Sequence, residues 1–229
     1  MKRSEINAYI CEAADFFTAM GFYLPPVASW TPSDWVSKGE EIREIVDVGI
    51  GWDITDFGRG DFPLQGLVLF TTRNGLPGDK PYAEKIMMVR EGQLTLTHFH
   101  HQKTEDIINR GGGDLLLTLH NAAEDGGLAI TPVTVQMDGV THVLPAGTTV
   151  TLRPGESITL TPRLYHSFWG KDGMVLVGEV SSVNDDYADN AFLEPQLRFP
   201  EIEEDEPPVR WLVSDYNKRF IVLAPDGGK

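Results

Sequence analysis

Between Ser4 and Met20 the apolar residues Ile6, Tyr9, Ile10, Ala13, Phe16, Phe17 and Met20 recur at helical spacing. One face of an amphipathic helix is therefore predicted here, with Ser4 as a candidate cap and Gly21 as a stop. In "WTPSDWVSKG", Thr31 in the capping place and Pro32 at the first helical position predict a short second helix. Helical patterning is confined to residues 1–44.

From residue 45 the period changes to two. "EIVDVGIGWDITDFG", "LQGLVLFTTRNG", "EKIMMVREGQLTLTHFHH", "GDLLLTLHNA" and "GMVLVGEVSSVND" read as short strands. Gly, Pro, Asn and Asp punctuate them at intervals of roughly 8–12 residues, which predicts an all-β sandwich or barrel over residues 45–183. In "VQMDGVTHV", Asp138–Gly139 favours a two-residue hairpin turn. Gly111–Gly113 predict a turn with positive φ. No helix pattern and no Lys-Ser/Thr follow them, which excludes a phosphate cradle. Residues 184–229 form an irregular tail in which Pro207–Pro208 forbids regular pairing, and "RWLVSDY" is a candidate final edge strand. The whole chain reads as a single domain.

Composition narrows the classes. The chain has 229 residues, 41% hydrophobic and 23% charged, as in an ordinary globular protein able to bury a core without staples. The single cysteine, Cys11, excludes an intramolecular disulfide and is expected to be a small core residue. The N-terminus "MKRSEINAYICEAADFF" lacks the apolar core of a signal peptide, and no apolar run approaches the ~20 residues of a membrane span. A cytoplasmic location is expected. A net charge of −15 repels nucleic acid and anionic lipid, and favours a neutral small molecule or a cation as ligand.

The chemistry concentrates in "LTLTHFHHQKTEDIINRGGGDLLL". In a strand, alternate side chains share a face, so His98 and His100 point one way and Phe99 and His101 the other. Glu105 follows at a distance that a tight turn brings back to the histidine side. His166 comes from a later strand start behind Pro162. Spacing alone leaves open that these are ordinary strand residues. Together, three imidazoles and a carboxylate suit a divalent Mn, Fe, Co, Ni or Zn ion, and the lack of thiolate argues against structural zinc. His120 and His142 have no such company and are expected to be structural.

The stretch from Gly92 to Gly111 resembles the first motif of the cupin superfamily: glycine, His-x-His, glutamate, glycine. "GESITLTPRLYH" is similar to the second, with Leu164 where the motif's glycine stands and His166 four residues after Pro162. "HFHHQKTEDIINRGGGDL", "EVSSVNDDYADNAF" and "FPEIEEDEPPVRWLVSDY" together resemble the D-lyxose isomerase family of cupin-type ketol-isomerases. The resemblance implies an all-β cupin jelly-roll barrel with a short N-terminal helical segment. It implies His98, His100, Glu105 and His166 as metal ligands, with Mn²⁺ the usual metal. It also implies interconversion of D-lyxose with D-xylulose, and of D-mannose with D-fructose. The motif alone leaves two alternatives: an Fe-dependent cupin dioxygenase, or a sugar- or metal-binding cupin without turnover.

Aldose–ketose isomerisation moves hydrogen between C1 and C2, through a cis-enediol or by a hydride shift, and the sequence does not choose between them. The enediol route needs Lewis-acid stabilisation and a positioned base. A six-coordinate ion with four protein donors keeps two places for sugar oxygens, which favours Mn²⁺ over four-coordinate Zn²⁺. Candidates for proton transfer are Lys103, in the loop after the His pair, and a carboxylate of the "EIEEDE" run, Glu204 first and Glu206 next. Lys85, Arg210 and Asp215 are candidate partners for sugar hydroxyls, and Glu179 and Asp189 candidate cavity residues. Phe168, Trp169 and Trp52 are candidate apolar walls. Edge-to-edge pairing of barrels makes a homodimer the expected assembly.

Overall fold

The structure, a computed structural model, describes residues 1–76, 79–186, 188–198 and 200–220, side chains being described as far as Tyr216. Helix α1 (Arg3–Ala19) is followed by short helices α2 (Pro32–Val36) and α3 (Arg43–Asp47). Thr31 and Pro32 open α2 as the sequence predicts: the Thr31 side chain accepts from Asp34 N while Asp34 returns a bond to Thr31 N. α1 starts one residue earlier than Ser4. Its first turn is capped from the far end of the chain, Arg3 N donating to Glu203 O, and Ser4 N and Oγ donating to the Asp205 carboxylate. Ile6, Ile10, Ala13 and Phe17 form the buried stripe of α1. Cys11, one step around the helix from Ile10, faces solvent, which corrects the expectation of a core residue.

Among the described residues, eleven strands then build an antiparallel sheet that curls into a jelly-roll barrel. They are β1 (Gly51–Thr55), β2 (Leu67–Arg73), β3 (Ala83–Val89), β4 (Thr95–His100), β5 (Glu105–Asn121) and β6 (Val133–Met137), followed by β7 (Val140–Leu144), β8 (Thr149–Leu152), β9 (Ser157–Leu160), β10 (Leu164–Ser181) and β11 (Asn190–Phe192). The path runs β1-β2-β3-β10-β5-β9-β6-β7, with β4 pairing β10 and β11, and β8 pairing β5. The long strands β5 and β10 lie side by side and belong to both walls. The first half of β10 pairs β4 and the second half β3, so each strand must bend where the walls meet.

The bend explains the glycine triplet. Register slips between β5 and β10 fall at Lys171/Val175 and Leu176/Val177, opposite Gly111–Gly113. Gly112 has φ 93°, and a Cβ there would stand 2.1 Å from Met174 O. The triplet therefore lies inside one strand, opposite the extra residues Asp172–Met174 of β10, instead of forming a turn between two. At the β6–β7 hairpin, Asp138 and Gly139 have φ of 49° and 80°, the two positive values that a type I′ turn requires.

Two apolar clusters hold the fold. Leu69, Met87, Ile107, Leu117, Leu160 and Val177 fill the barrel, while Trp52, Phe70 and Met88 on the outer face of β1–β3 pack against α1. "RWLVSDY" is not an edge strand. Val213–Phe220 form α4, because Asp215 at its third position accepts Leu212 N and caps the first turn, and Trp211, Leu212 and Tyr216 bury one side. No helix among the described residues is long and apolar enough to cross a membrane.

Candidate metal centre

β4 delivers His98 and His100 to one cavity inside the barrel, as its two-residue period dictates. Phe99 faces the other way, its ring 4.7 Å from that of Tyr165 and beneath the Arg163 guanidinium. His101 is exposed beside Phe99. A loop of four residues returns the chain to β5, which opens on buried Glu105. Asp189 ties that loop down by accepting from Gln102 N and Lys103 N at 2.8 and 3.0 Å, and does not line the cavity.

His166 enters from β10, where it pairs in register with His98. The turn before it is built with Pro162 and Arg163. Arg163 takes φ 63°, Leu164 N bonds back to Thr161 O, and Arg163 N donates to His100 O. This chain thus makes the left-handed turn with an arginine.

The ligating atoms of His98, His100 and His166 lie within 4.8 Å of one another. Glu105 Oε1 is 3.4 Å from His100 Nε2 and 3.3 Å from His166 Nε2. A backbone carbonyl can only accept, so the contacts of His98 Nδ1 with Leu96 O (2.7 Å) and His166 Nδ1 with Leu164 O (3.1 Å) place a proton on each Nδ1. Burial, reinforced by the neighbouring imidazoles, pushes His98 well below its usual value. Burial likewise pushes His166 down to about 4, against the pull of Glu105. Neutral rings with protonated Nδ1 present bare Nε2 lone pairs to the cavity, and His166 Nε2 is buried without a hydrogen-bond partner. Burial alone would raise Glu105, yet Lys103 and the imidazoles hold it well below the carboxylate range. Imidazole nitrogens gathered around an ionised oxygen fit a divalent cation, and backbone carbonyls orient two of the rings.

Beyond this nest the cavity carries a chain of alternating charges. Lys103 Nζ bonds Glu105 Oε2 at 2.7 Å and Glu179 Oε1 at 2.8 Å. Lys85 Nζ is 3.5 Å from Glu179 Oε1 and 3.8 Å from Asp186 Oδ1. Arg198 bridges Asp186 and Asp53 at 3.3 and 2.7 Å. Burial opposes the charge on Lys103, but its two carboxylates raise it above the ordinary lysine value, so it is an ammonium. Glu179 is lowered despite burial, by Lys103 and then Lys85. Asp53 is raised by burial, with Arg198 opposing and Asp186 adding to the rise. Leu67, Leu69, Met87, Phe57, Phe168 and Phe192 supply apolar wall to the cavity.

Of the residues the sequence singles out, the structure brings together His98, His100, Glu105, His166, Lys103, Lys85 and Glu179. It places Glu204 and Asp215 elsewhere. Both bind the buried Arg3 guanidinium, Glu204 at 2.7 Å and Asp215 at 3.0 Å. Arg210 lines none of the cavity and donates to Val209 O. Glu206 accepts from Asn7. The acidic run therefore docks α1 instead of covering the barrel mouth. Trp52 stacks on Phe17 outside the barrel, and Trp169 does not line the cavity. Sequence reasoning missed Asp53, Asn184, Asp186 and Arg198. An aspartate among the buried residues of "GWDIT" was the available signal for Asp53; nothing local marks the others.

The sequence profile of a family described as D-lyxose isomerase matches residues 1–216. A D-lyxose/D-mannose isomerase of Serratia proteamaculans is 52% identical over 228 residues, 96% of this chain and 100% of that one. Its counterpart in Escherichia coli O157:H7 is 48% identical over 225 residues, 95% of this chain and 99% of that one. Among solved structures, the L-ribose isomerase of Cellulomonas parahominis with L-ribose superposes with TM-score 0.57 at 20% identity, covering 89% of this chain and 98% of that one. The L-ribose isomerase of Geodermatophilus obscurus does so with TM-score 0.57 at 19% identity, with the same coverage. These two share the fold.

Proposed function

From the premise that the chain belongs to the D-lyxose isomerase family, we propose that it is a metal-dependent aldose–ketose isomerase. It interconverts D-lyxose with D-xylulose, and D-mannose with D-fructose, through a cis-enediol. The observation that carries this reading is the facing of the bare His166 Nε2 and the ionised Glu105 Oε1 at 3.3 Å, beside the Lys103–Glu179 pair.

His98, His100, Glu105 and His166 would hold the ion, for which Mn²⁺ suits a donor set of nitrogen and oxygen without thiolate. When bound, a divalent ion supplies Lewis-acid stabilisation of negative charge on the sugar oxygens at C1 and C2. The Glu179 carboxylate takes the proton from C2 and returns it to C1, because it is buried in the cavity wall, held ionised and set away from the histidine nest beside Lys103. Lys103 Nζ, kept as an ammonium, hydrogen-bonds a reacting oxygen and keeps Glu105 and Glu179 apart. Glu179 thus takes the base role that sequence reasoning gave to Glu204. Phe57, Phe168 and Phe192 exclude water and pack against the C–H face of the sugar.

The same reading includes a homodimer in the cytoplasm. β7 ends the sheet path, and its Val140 and Val143 are 59% and 68% exposed, next to Ile130 at 94%. An uncharged free edge on a chain of net charge −15 suits a second copy paired edge to edge.

Incubating the Mn²⁺-loaded protein with D-lyxose in D₂O tests the reaction. D-xylulose carrying deuterium at C1, formed without O₂ uptake, is expected. Unlabelled D-xylulose would replace the enediol with a hydride shift, and no D-xylulose would refute the isomerase.

A further inference from the structure

The loop after β10 sets Asn184 against Lys85, Lys103 and Asp186. Asn184 Oδ1 accepts from Lys85 Nζ at 2.5 Å and lies 3.5 Å from Lys103 Nζ. Its Nδ2 donates to Asp186 Oδ2 at 2.9 Å. The backbone of Asn184 is gripped in turn by one side chain, that of Asn74. Asn74, buried just past the end of β2, accepts from Asn184 N with Oδ1 at 3.0 Å and donates to Asn184 O with Nδ2 at 3.0 Å. The same Nδ2 donates to Val48 O at 2.8 Å, which anchors the grip to the end of α3.

The distances around Glu179 show what this arrangement does. Lys103 Nζ makes a full charged hydrogen bond to Glu179 Oε1 at 2.8 Å, and Ser181 Oγ donates to the same oxygen at 3.2 Å. Lys85 Nζ stops at 3.5 Å, outside the 2.7–2.9 Å of a charge-assisted bond. In a buried site the attraction between an ammonium and a carboxylate is strong, so something must hold Lys85 back. Its shortest contact is the Asn184 amide oxygen.

We propose that Asn184 is a positioning residue, which keeps Lys85 off Glu179 so that the carboxylate is left free to take the sugar proton, and that Asn74 acts through Asn184. The proposal rests on the reading of Glu179 as the group that moves the proton. A second ammonium bonded to Glu179 would weaken the carboxylate as a base. Neither asparagine touches the histidine nest, so metal binding is independent of both.

The test compares Asn184→Ala, Asn74→Ala, the double variant, Asn184→Asp and Glu179→Gln as full-length, Mn²⁺-loaded proteins, measuring kcat, KM and bound metal. Asn184→Ala is expected to lower kcat for D-lyxose about 10- to 100-fold, in line with the cost of small misplacements at a reacting centre, with KM and metal content held within about twofold. Its crystal structure should show Lys85 Nζ bonded to Glu179. Asn184→Asp keeps an oxygen facing Lys85 but loses the bond to Asp186, so it is read by its crystal structure, in which Lys85 Nζ should remain off Glu179. Asn74→Ala should lower kcat in the same sense, and should cost nothing further in the Asn184→Ala background. An unchanged kcat in Asn184→Ala, loss of metal, an Asn184→Asp in which Lys85 bonds Glu179, or multiplying effects of the two alanines would each overturn the proposal. Normal turnover in Glu179→Gln would instead remove the reading beneath it, and the proposal with it.

Discussion

His166 Nε2 and Glu105 Oε1 stand 3.3 Å apart inside the barrel, one a bare lone pair and the other an ionised oxygen. Neither carries a proton to share. Two acceptors pressed together away from water are costly unless a cation lies between them.

The first prediction follows from that pair. His98→Ala and His166→Ala each lose bound divalent metal and turnover together, since each removes a Nε2 donor from the nest. Lys103→Ala keeps metal but loses about 10²–10⁴-fold in kcat, the usual contribution of a positioned acid–base group. Metal analysis beside kinetics checks both; metal retained in either histidine variant would remove that residue from the donor set.

A second concerns the acidic tail. Glu204→Gln leaves kcat within about twofold, because Glu204 binds Arg3 on α1, far in its connections from the cavity. Arg3→Met instead costs about 3–5 kcal/mol of stability, the cost of stranding the buried Asp215 carboxylate. Kinetics of the first and urea denaturation of the second decide it. A large drop in kcat in Glu204→Gln at unchanged stability would return the acidic run to the active site.

Acid should weaken the metal-free protein in two steps. His166 is neutral in the folded chain down to about 4, against 6.5 when unfolded. Between those values the unfolded chain holds a proton that the folded one refuses, so stability falls as pH falls through the window, by on the order of 3 kcal/mol when complete. Glu105 is depressed instead, so its stabilisation is present above the unfolded carboxylate value near 4.5 and is lost only below it, as pH falls through the lowered folded value. Urea titrations of chelator-treated protein at pH 7.5, 6 and 5 should show the first loss; a flat profile would mean that the imidazoles are not buried as neutral rings.

The free edge gives a fourth prediction. Val143→Lys, at an exposed position of β7, should convert a dimer to a monomer in light scattering without altering bound metal. An unchanged dimer would place the interface elsewhere.

What the sequence disclosed depended on range. The period of two in "LTHFHH" set His98 and His100 on one face, and Asp138–Gly139 announced its hairpin, because both are fixed by neighbours in the chain. The Thr31–Pro32 helix start is local in the same way. Arg3 and Glu204 are 201 positions apart, and nothing near either residue signals the pairing. The acidic run therefore looked available for catalysis when its charge was already committed. Arg198 and Asp186 were silent for the same reason. "RWLVSDY" misled because the short apolar run Trp211–Val213 suits a strand, whereas the Asp215 cap and the burial of Trp211 against Trp35 favour a helix.

The most direct measurement is a Mn²⁺ titration of chelator-stripped protein, with bound metal and D-xylulose formed from D-lyxose read on the same samples. The account predicts no turnover without metal and full turnover at about one ion per chain, with both lost in His166→Ala. Full-rate isomerisation by a chain that carries no ion, or one ion bound with no D-xylulose formed, would contradict it.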